Sequence, residues 1–300
     1  MNSTALFPTP SATPSDSALS ATAAAALAMS MAPIEPAPAS EMALHQRLLA
    51  RVAKSAAANL GMKTMRLGDG VWRELAPGIR ACTQHAEPGS QTTLIELDPD
   101  SVWPLNLIGA LHEHGMAAAP SVHECLVLGG KVQLHAPAIG SPTLGRHDYQ
   151  MIGLDAAWLP EARLTSNTAA LLYWRSSVTG ASEFGATRDS HRVAADGSGW
   201  EPLRRGVNIR PLYAAGERIS MLVRVDPGAT VPAHPHGIGE ECLMVEGDLF
   251  LGDVLLREGE FQFAPAGSGH DELMSDVGCL LFFCGAIDPA AIDPAVRVGY

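Results

Sequence analysis

The segment 228–270, GATVPAHPHGIGEECLMVEGDLFLGDVLLREGEFQFAPAGSGH, decides how the rest of the chain is read. Its fixed points are Gly228, His234, His236, Glu240, Gly247, Gly259, Pro265, Gly267 and His270, which gather three imidazoles and one carboxylate. His234 and His236 are two apart, and in an extended strand such residues point to the same face. Glu240 opens the alternating run ECLMVEG, which ends at a glycine turn as one strand of a hairpin does. FQFAPAGSGH reads as a second strand broken at Pro265 and Gly267, where a turn can swing His270 back toward the other three side chains. Imidazole nitrogens with one carboxylate suit Zn, Fe(II), Mn, Ni or Cu, and on a five- or six-coordinate ion they leave positions open for water or a substrate. A lone H-x-H arises easily on a strand surface; the specificity lies in the nine positions together.

Outside this segment the chain repeats itself once. Trp72, Leu75 and Gly78 recur as Trp200, Leu203 and Gly206, and Asp98-Pro99 recurs as Asp226-Pro227. HECLVLGG at 123–130 answers EECLMVEG at 240–247, and LLYW at 171–174 answers LLFF at 280–283. Two copies of one unit explain this pattern, and short alternating runs punctuated by Gly and Pro predict antiparallel strands. The fold class is therefore all-β, with two tandem jelly-roll barrels. An Ala/Ser/Pro-rich arm over 1–40 has too few large apolar groups to offset chain entropy and is expected to be disordered. A helical segment over 41–62 follows, capped by Ser40, with Leu44, Leu48, Leu49 and Val52 as an apolar stripe, Ala58 as its end and Asn59 with Gly61 as its stop. The stripe suits packing on the barrel or on a partner subunit. The first barrel is expected over 63–178, a linker over 179–198, the metal-binding barrel over 199–288 and a tail over 289–300.

The first copy departs from the second at the informative positions. Aligning Glu124 with Glu241 puts His123 where the second copy has Glu240. HEHG at 112–115 resembles HPHG at 234–237, but eight residues rather than three separate His114 from His123. Glu161 stands ten residues before LLYW, as His270 does before LLFF. His112, His114, His123 and Glu161 are thus a second candidate metal set, with histidine and carboxylate exchanged. A competing alignment without a gap puts Asn106 and Ile108 at the H-x-H positions and leaves a metal-free barrel kept for packing. His85, His135 and His147 have no partner spacing and read as ordinary polar or turn residues.

Composition narrows the function classes. A chain of 300 residues with 47% hydrophobic content can bury a sizeable core. Its net charge of −12 argues against nucleic acid as a direct partner. Cys82, Cys125, Cys242, Cys279 and Cys284 show no paired spacing and suit a reducing compartment. No Lys or Arg precedes Arg47, and the Ala-rich run 18–32 is short and weakly apolar, so neither a secretory signal nor a membrane anchor is expected. The expectation is a cytoplasmic protein with a small-molecule partner, forming a homodimer where sheet edges need cover.

The W-x2-L-x2-G opening, the D-P-G before H-x-H, GEECLMVEG and PAGSGH resemble the ChrR-type cupins, well over 199–285 and weakly over 71–175. That family includes the C-terminal domain of a zinc-dependent anti-sigma factor and β-diketone-cleaving dioxygenases. The resemblance implies a duplicated cupin, or bicupin, in which His234, His236, Glu240 and His270 hold one divalent ion: Zn, Fe(II) or Mn. The set in the first copy would supply a second ion. RLLARVA at 47–53 also resembles the helix preceding such cupins in anti-sigma proteins, but the His and C-x2-C of their zinc module have no counterpart before Cys82. Met274 stands where these families often carry Asn. Two readings follow. One is a regulatory or sensory protein responding to a small molecule or oxidant, with residues 41–58 meeting a protein partner. The other is a mononuclear non-haem Fe(II) dioxygenase acting on a small carbonyl compound. Cys242 shares the face of Glu240 and is either an oxidation target or a buried apolar thiol. Glu241 should face away from Glu240, Asp271 and Glu272 flank His270 without a defined role, and Met221, Val223, Met244, Phe261 and Phe263 should line an apolar barrel.

Overall fold

The computed structural model describes residues 38–111, 122–137, 139–153, 159–178 and 190–295. The stretch 1–37 of the expected arm, residues 179–189 of the expected linker and the last five residues lie outside them. A helix runs over Pro38–Ala58, two residues earlier than its expected cap, so Ser40 sits inside the first turn. Proline is well placed at a helix start because its missing N–H would have no partner there. The helix stops as expected: Asn59 Nδ2 donates to the Ser55 carbonyl at 2.9 Å, and Gly61 takes a φ of 79°, a left-handed value that favours glycine. Among the described residues no helix is long and apolar enough to cross a membrane.

From Lys54 onward the chain forms one compact unit. Among the described residues the first barrel is a sheet in the order His191–Val193, Tyr149–Ile152, Val122–Gly129, Ala170–Ser177, Ser90–Leu97, Ile79–Glu87 and Arg73–Ala76. A smaller sheet of Val102–Pro104, Arg163–Thr165, Lys131–His135 and Thr143–Gly145 lies with it. The second barrel repeats the larger sheet in the order Lys63–Met65, Phe261–Ala264, Glu240–Leu251, Cys279–Gly285, Arg218–Val225, Val207–Ala215 and Glu201–Arg204. All pairings are antiparallel, and the two jelly rolls predicted from the repeat are present. The equivalence of the copies is therefore a matter of strand order as well as of sequence.

Two short strands depart from the domain boundaries expected from sequence. Lys63–Met65, at the start of the expected first domain, pairs with Phe261–Ala264 and extends the sheet of the second barrel. His191–Val193, within the expected linker, pairs with Tyr149–Ile152 of the first. Each covers an edge whose backbone N–H and C=O groups would otherwise lack partners. The first pairing also ties the barrels together. The expected tail contributes too: Ala291 is buried in the second core, and Asp293 donates its backbone N–H to the Leu203 carbonyl.

Strand alternation sorts the side chains into three apolar clusters. Trp103, Leu134, Leu172 and Trp174 fill the first barrel, and Trp103 meets Trp174 edge-on at 5.0 Å. Met221, Val223, Cys242 and Met244 face into the second. The odd partners on the same strands, Tyr173, Leu243 and Val245, meet between the barrels together with Phe261 and Phe282. Phe261 and Phe263 thus correct the expected lining: they pack against this seam cluster, and Phe263 stacks on His85 at 3.6 Å. The runs flanking Pro265 carry no pattern that tells which face of Phe261–Ala264 points inward.

Candidate metal centre

The H-x-H pair and the last histidine meet because their backbones do. His234–Pro235 pairs with Gly269–His270, placing His234 opposite His270. A Cβ on Gly269 would lie 2.8 Å from the His234 carbonyl oxygen, so the close approach needs glycine at that position. Glu240 begins the next strand and is buried, as are His236 and His270.

Ligand atoms of His234, His236 and Glu240 all lie within 4.8 Å of one another, the group of this kind found among the described residues. His236 Nε2 is 3.6 Å from Glu240 Oε2, and His270 Nε2 is 3.5 Å from Glu240 Oε1. These gaps are long for hydrogen bonds. They match donors about 3.0–4.2 Å apart around one ion with bonds of about 2.1 Å. Ring centroids stand 5.6 Å apart for His234 and His236, 5.9 Å for His234 and His270, and 4.5 Å for His236 and His270.

Hydrogen bonding at the far ring nitrogens fixes the tautomers. His234 Nδ1 lies 2.9 Å from the Pro232 carbonyl, which only accepts, so Nδ1 carries the proton and Nε2 keeps its lone pair. His236 Nδ1 lies 2.9 Å from Ser268 Oγ, whose own proton goes to the Pro265 carbonyl at 2.5 Å. The serine oxygen must then accept from His236, again leaving Nε2 free to ligate. That Nε2 is buried and has no hydrogen-bond partner among the described residues. A buried acceptor of this kind is costly unless something binds it, and a divalent ion would satisfy it. The donor set therefore fits a metal on grounds beyond residue identity.

The charge states agree with the tautomers. Burial pushes His236 down to about 4, against the opposing pull of Glu240, so its imidazole is neutral near pH 7. Burial works against ionisation of Glu240, but the facing imidazole of His270 and the charges of His236 and His234 outweigh it and hold the carboxyl below its usual value. A histidine lowered on folding stabilises fully above the unfolded value of 6.5, and that contribution is lost as pH falls toward about 4. Metal-free protein should lose stability across this window, and a His236→Asn variant should lose less. Urea titrations at pH 7.5, 6 and 5 measure the difference; parallel pH dependences would contradict the burial of a neutral imidazole.

His234 and Glu240 line one end of a cavity of about 60 Å³, with Val223, Leu249, Leu281 and Phe283 on its walls. Met221 and Val223 line it as expected, and Cys242 joins them. Cys242 Sγ lies 3.6 Å from Glu240 Oε1, and burial raises its pKa well above that of a free thiol, keeping it protonated. Asp288 also borders the cavity and caps the turn Pro289–Ala291 through the Ala290 N–H at 2.7 Å. Sequence reasoning missed Asp288, Ser268 and Pro232. The legible signals were an Asp-Pro cap for the first and the PAGSGH turn for the second.

The second candidate set is only partly described, since His112 and His114 lie outside the described residues. His123 is buried, with Nδ1 2.9 Å from Ser176 Oγ and its ring 5.8 Å from that of Trp174. Glu161 is exposed on the turn Leu159–Glu161. Val102–Pro104 is followed directly by the turn Leu105–Leu111, in which Ile108 is buried in the first core and Asn106 is exposed. Glu241 points into the seam, away from Glu240, as alternation requires.

Residues 188–286, which span the second barrel, match the family described as ChrR Cupin-like domain. No curated protein sequence matches the chain. Among solved structures, a candidate dioxygenase from Nostoc punctiforme shares 16% identity at a TM-score of 0.54, over 80% of this chain and 86% of that one. A candidate glyoxylate-induced protein from Pseudomonas aeruginosa shares 11% at 0.56, over 75% and 84%. Oxalate decarboxylase from Bacillus subtilis shares 12% at 0.51, over 75% and 77%, and a further structure of it concerns its Mn(II) centres. The chain has the fold of the cupin superfamily, in two copies.

Proposed function

We propose that this bicupin holds one divalent ion in its second barrel, through His234, His236, Glu240 and His270, and serves as a ChrR-like regulatory protein that responds to a small molecule. The carrying observation is that the ChrR Cupin-like match falls on the barrel in which His234, His236 and Glu240 gather, with His270 outside that group but 3.5 Å from Glu240. Bound there, the ion would supply an open coordination position and Lewis acidity at the end of an apolar cavity. The chain's own residues set what reaches it. The cavity presents mostly apolar walls, and Ser268 and the Pro232 carbonyl hold the imidazoles in ligating form. The burial of Cys242 favours a response to a ligand over a response through thiol oxidation.

A second reading, a non-haem Fe(II) dioxygenase for a small carbonyl compound, draws support from the same cavity, whose lining is mostly apolar. Elemental analysis of natively purified protein is expected to find one ion per chain, unchanged by His123→Ala. A chain that retains none after purification, and takes up none from Mn(II), Fe(II) or Zn(II), refutes the proposal. Iron-loaded protein that consumes oxygen with a diketone would move the assignment to the second reading.

A further inference from the structure

The strand Glu240–Leu251 carries Glu240 into the metal barrel and Glu241 out of it, and the side chains that hold Glu241 come from the other barrel. Arg175 Nε donates to Glu241 Oε1 at 3.1 Å, Tyr173 donates its hydroxyl to Oε2 at 3.3 Å, and Thr92 Oγ1 donates to the same oxygen. All four residues are buried. Arg175 Nη1 also reaches Glu124 Oε2 at 3.2 Å, and Tyr149 donates to Glu124 Oε1 at 2.7 Å. Glu124 and Glu241 occupy the same place in the two repeats, but one guanidinium serves both. The position equivalent to Arg175 in the second copy is Cys284. The network is thus one-sided: the cation that bridges the two carboxylates belongs to the first barrel.

We propose that the first barrel acts on the metal centre through this clamp, with Arg175, Tyr173 and Thr92 as positioning residues that fix Glu241 and so the direction in which Glu240 projects. The inference rests on the metal reading of His234, His236, Glu240 and His270. Neighbouring residues of a strand share a peptide plane and point to opposite faces, so rotation of one rotates the other. Glu240 is the first residue of its strand, with loop on one side, where Arg218 Nη1 holds the Gly239 carbonyl at 3.0 Å, and on the strand side the adjacent anchored side chain is Glu241. Outer groups that orient ligands typically change metal affinity by about 10- to 100-fold when removed. The retained first barrel gains a role that does not require it to bind a metal.

Glu241→Ala and Glu124→Ala form a matched pair, because each leaves Arg175 with one carboxylate and removes one set of hydrogen bonds. Chelator competition with Mn(II) and the Mn(II) electron paramagnetic resonance spectrum are the readouts, on the full chain. Glu241→Ala is expected to weaken Mn(II) binding about tenfold and to alter the spectral fine structure. Glu124→Ala should leave affinity within about twofold and the spectrum unchanged, and Glu241→Gln, which keeps an acceptor for Thr92 and Tyr173, should recover most of the loss. Equal effects of the two alanine variants, or an unchanged spectrum in Glu241→Ala, overturn the clamp. Wild-type protein that binds no Mn(II), Fe(II) or Zn(II) refutes the metal reading instead. Should Glu241→Ala not fold, the triple variant Arg175→Met, Glu124→Gln, Glu241→Leu removes the acceptor for Thr92 and Tyr173 without leaving a buried charge unpaired, and an unchanged spectrum there overturns the clamp equally.

Discussion

His236→Ala should fold and lose at least about 100-fold in affinity for Mn(II) or Zn(II), more than any change in the groups around the ligands is expected to cost. The reasoning starts from the metal-free protein. His236 Nε2 is buried without a hydrogen-bond partner among the described residues, so the native apo-state carries an unsatisfied acceptor. Removing the ring removes that burden, and apo-stability should fall by no more than the packing lost. In the metal-bound state the same nitrogen supplies one of the donors converging near Glu240. The effect should therefore appear almost wholly in metal-dependent stability, where ion at 100 times its dissociation constant contributes about 2.7 kcal/mol. Ser268→Ala tests the tautomer argument beside it. Without the serine, Nδ1 loses the acceptor that holds the ring in ligating form, and a loss of about 10- to 100-fold is expected. Thermal melts with and without Mn(II) measure both. A metal-induced rise in Tm that survives His236→Ala would sink the assignment of this side chain.

The gathering of His234, His236, Glu240 and His270 was legible because their spacing encodes geometry directly. Alternation puts His234 and His236 on one face, and a Pro-Gly turn returns His270. Glu241 followed by the same rule. The repeat disclosed two barrels because both copies kept their turn glycines and central strands. The pairing of Lys63–Met65 was not legible, since that strand is too short to display a pattern and its partner Phe261–Ala264 lies far along the chain. The linker's His191–Val193 was hidden for the same reason: three residues pair through their backbone, which any sequence supplies. Phe261 was misassigned because an aromatic residue suits a barrel interior and a barrel seam equally. Ser268 and Pro232 act through one hydroxyl and one carbonyl, and neither group has a compositional signature.

Arg175→Met carries the other large effect, on stability rather than on metal. Methionine fills much the same volume without charge, so packing between the barrels changes little. What changes is electrostatic: Glu124 and Glu241 remain buried, near one another, with no cation between them. Breaking a buried pair from one side costs about 3–5 kcal/mol, because the orphaned charge cannot regain its hydration. In a unit of this size that lowers Tm by about 10 °C. Removing the two carboxylates as well, in Arg175→Met with Glu124→Gln and Glu241→Gln, should return most of the loss, since the amides still accept from Tyr149, Tyr173 and Thr92. The single variant should also change its response to acid. Two buried, unpaired carboxyls bind protons more readily folded than unfolded, so its defect should shrink as pH falls and grow as pH rises toward 7. Calorimetry at pH 5 and pH 7.5 reads this directly. A defect in Arg175→Met that is independent of pH, or that persists in the triple variant, would mean that the guanidinium acts by packing alone and that the seam is not held by its charge.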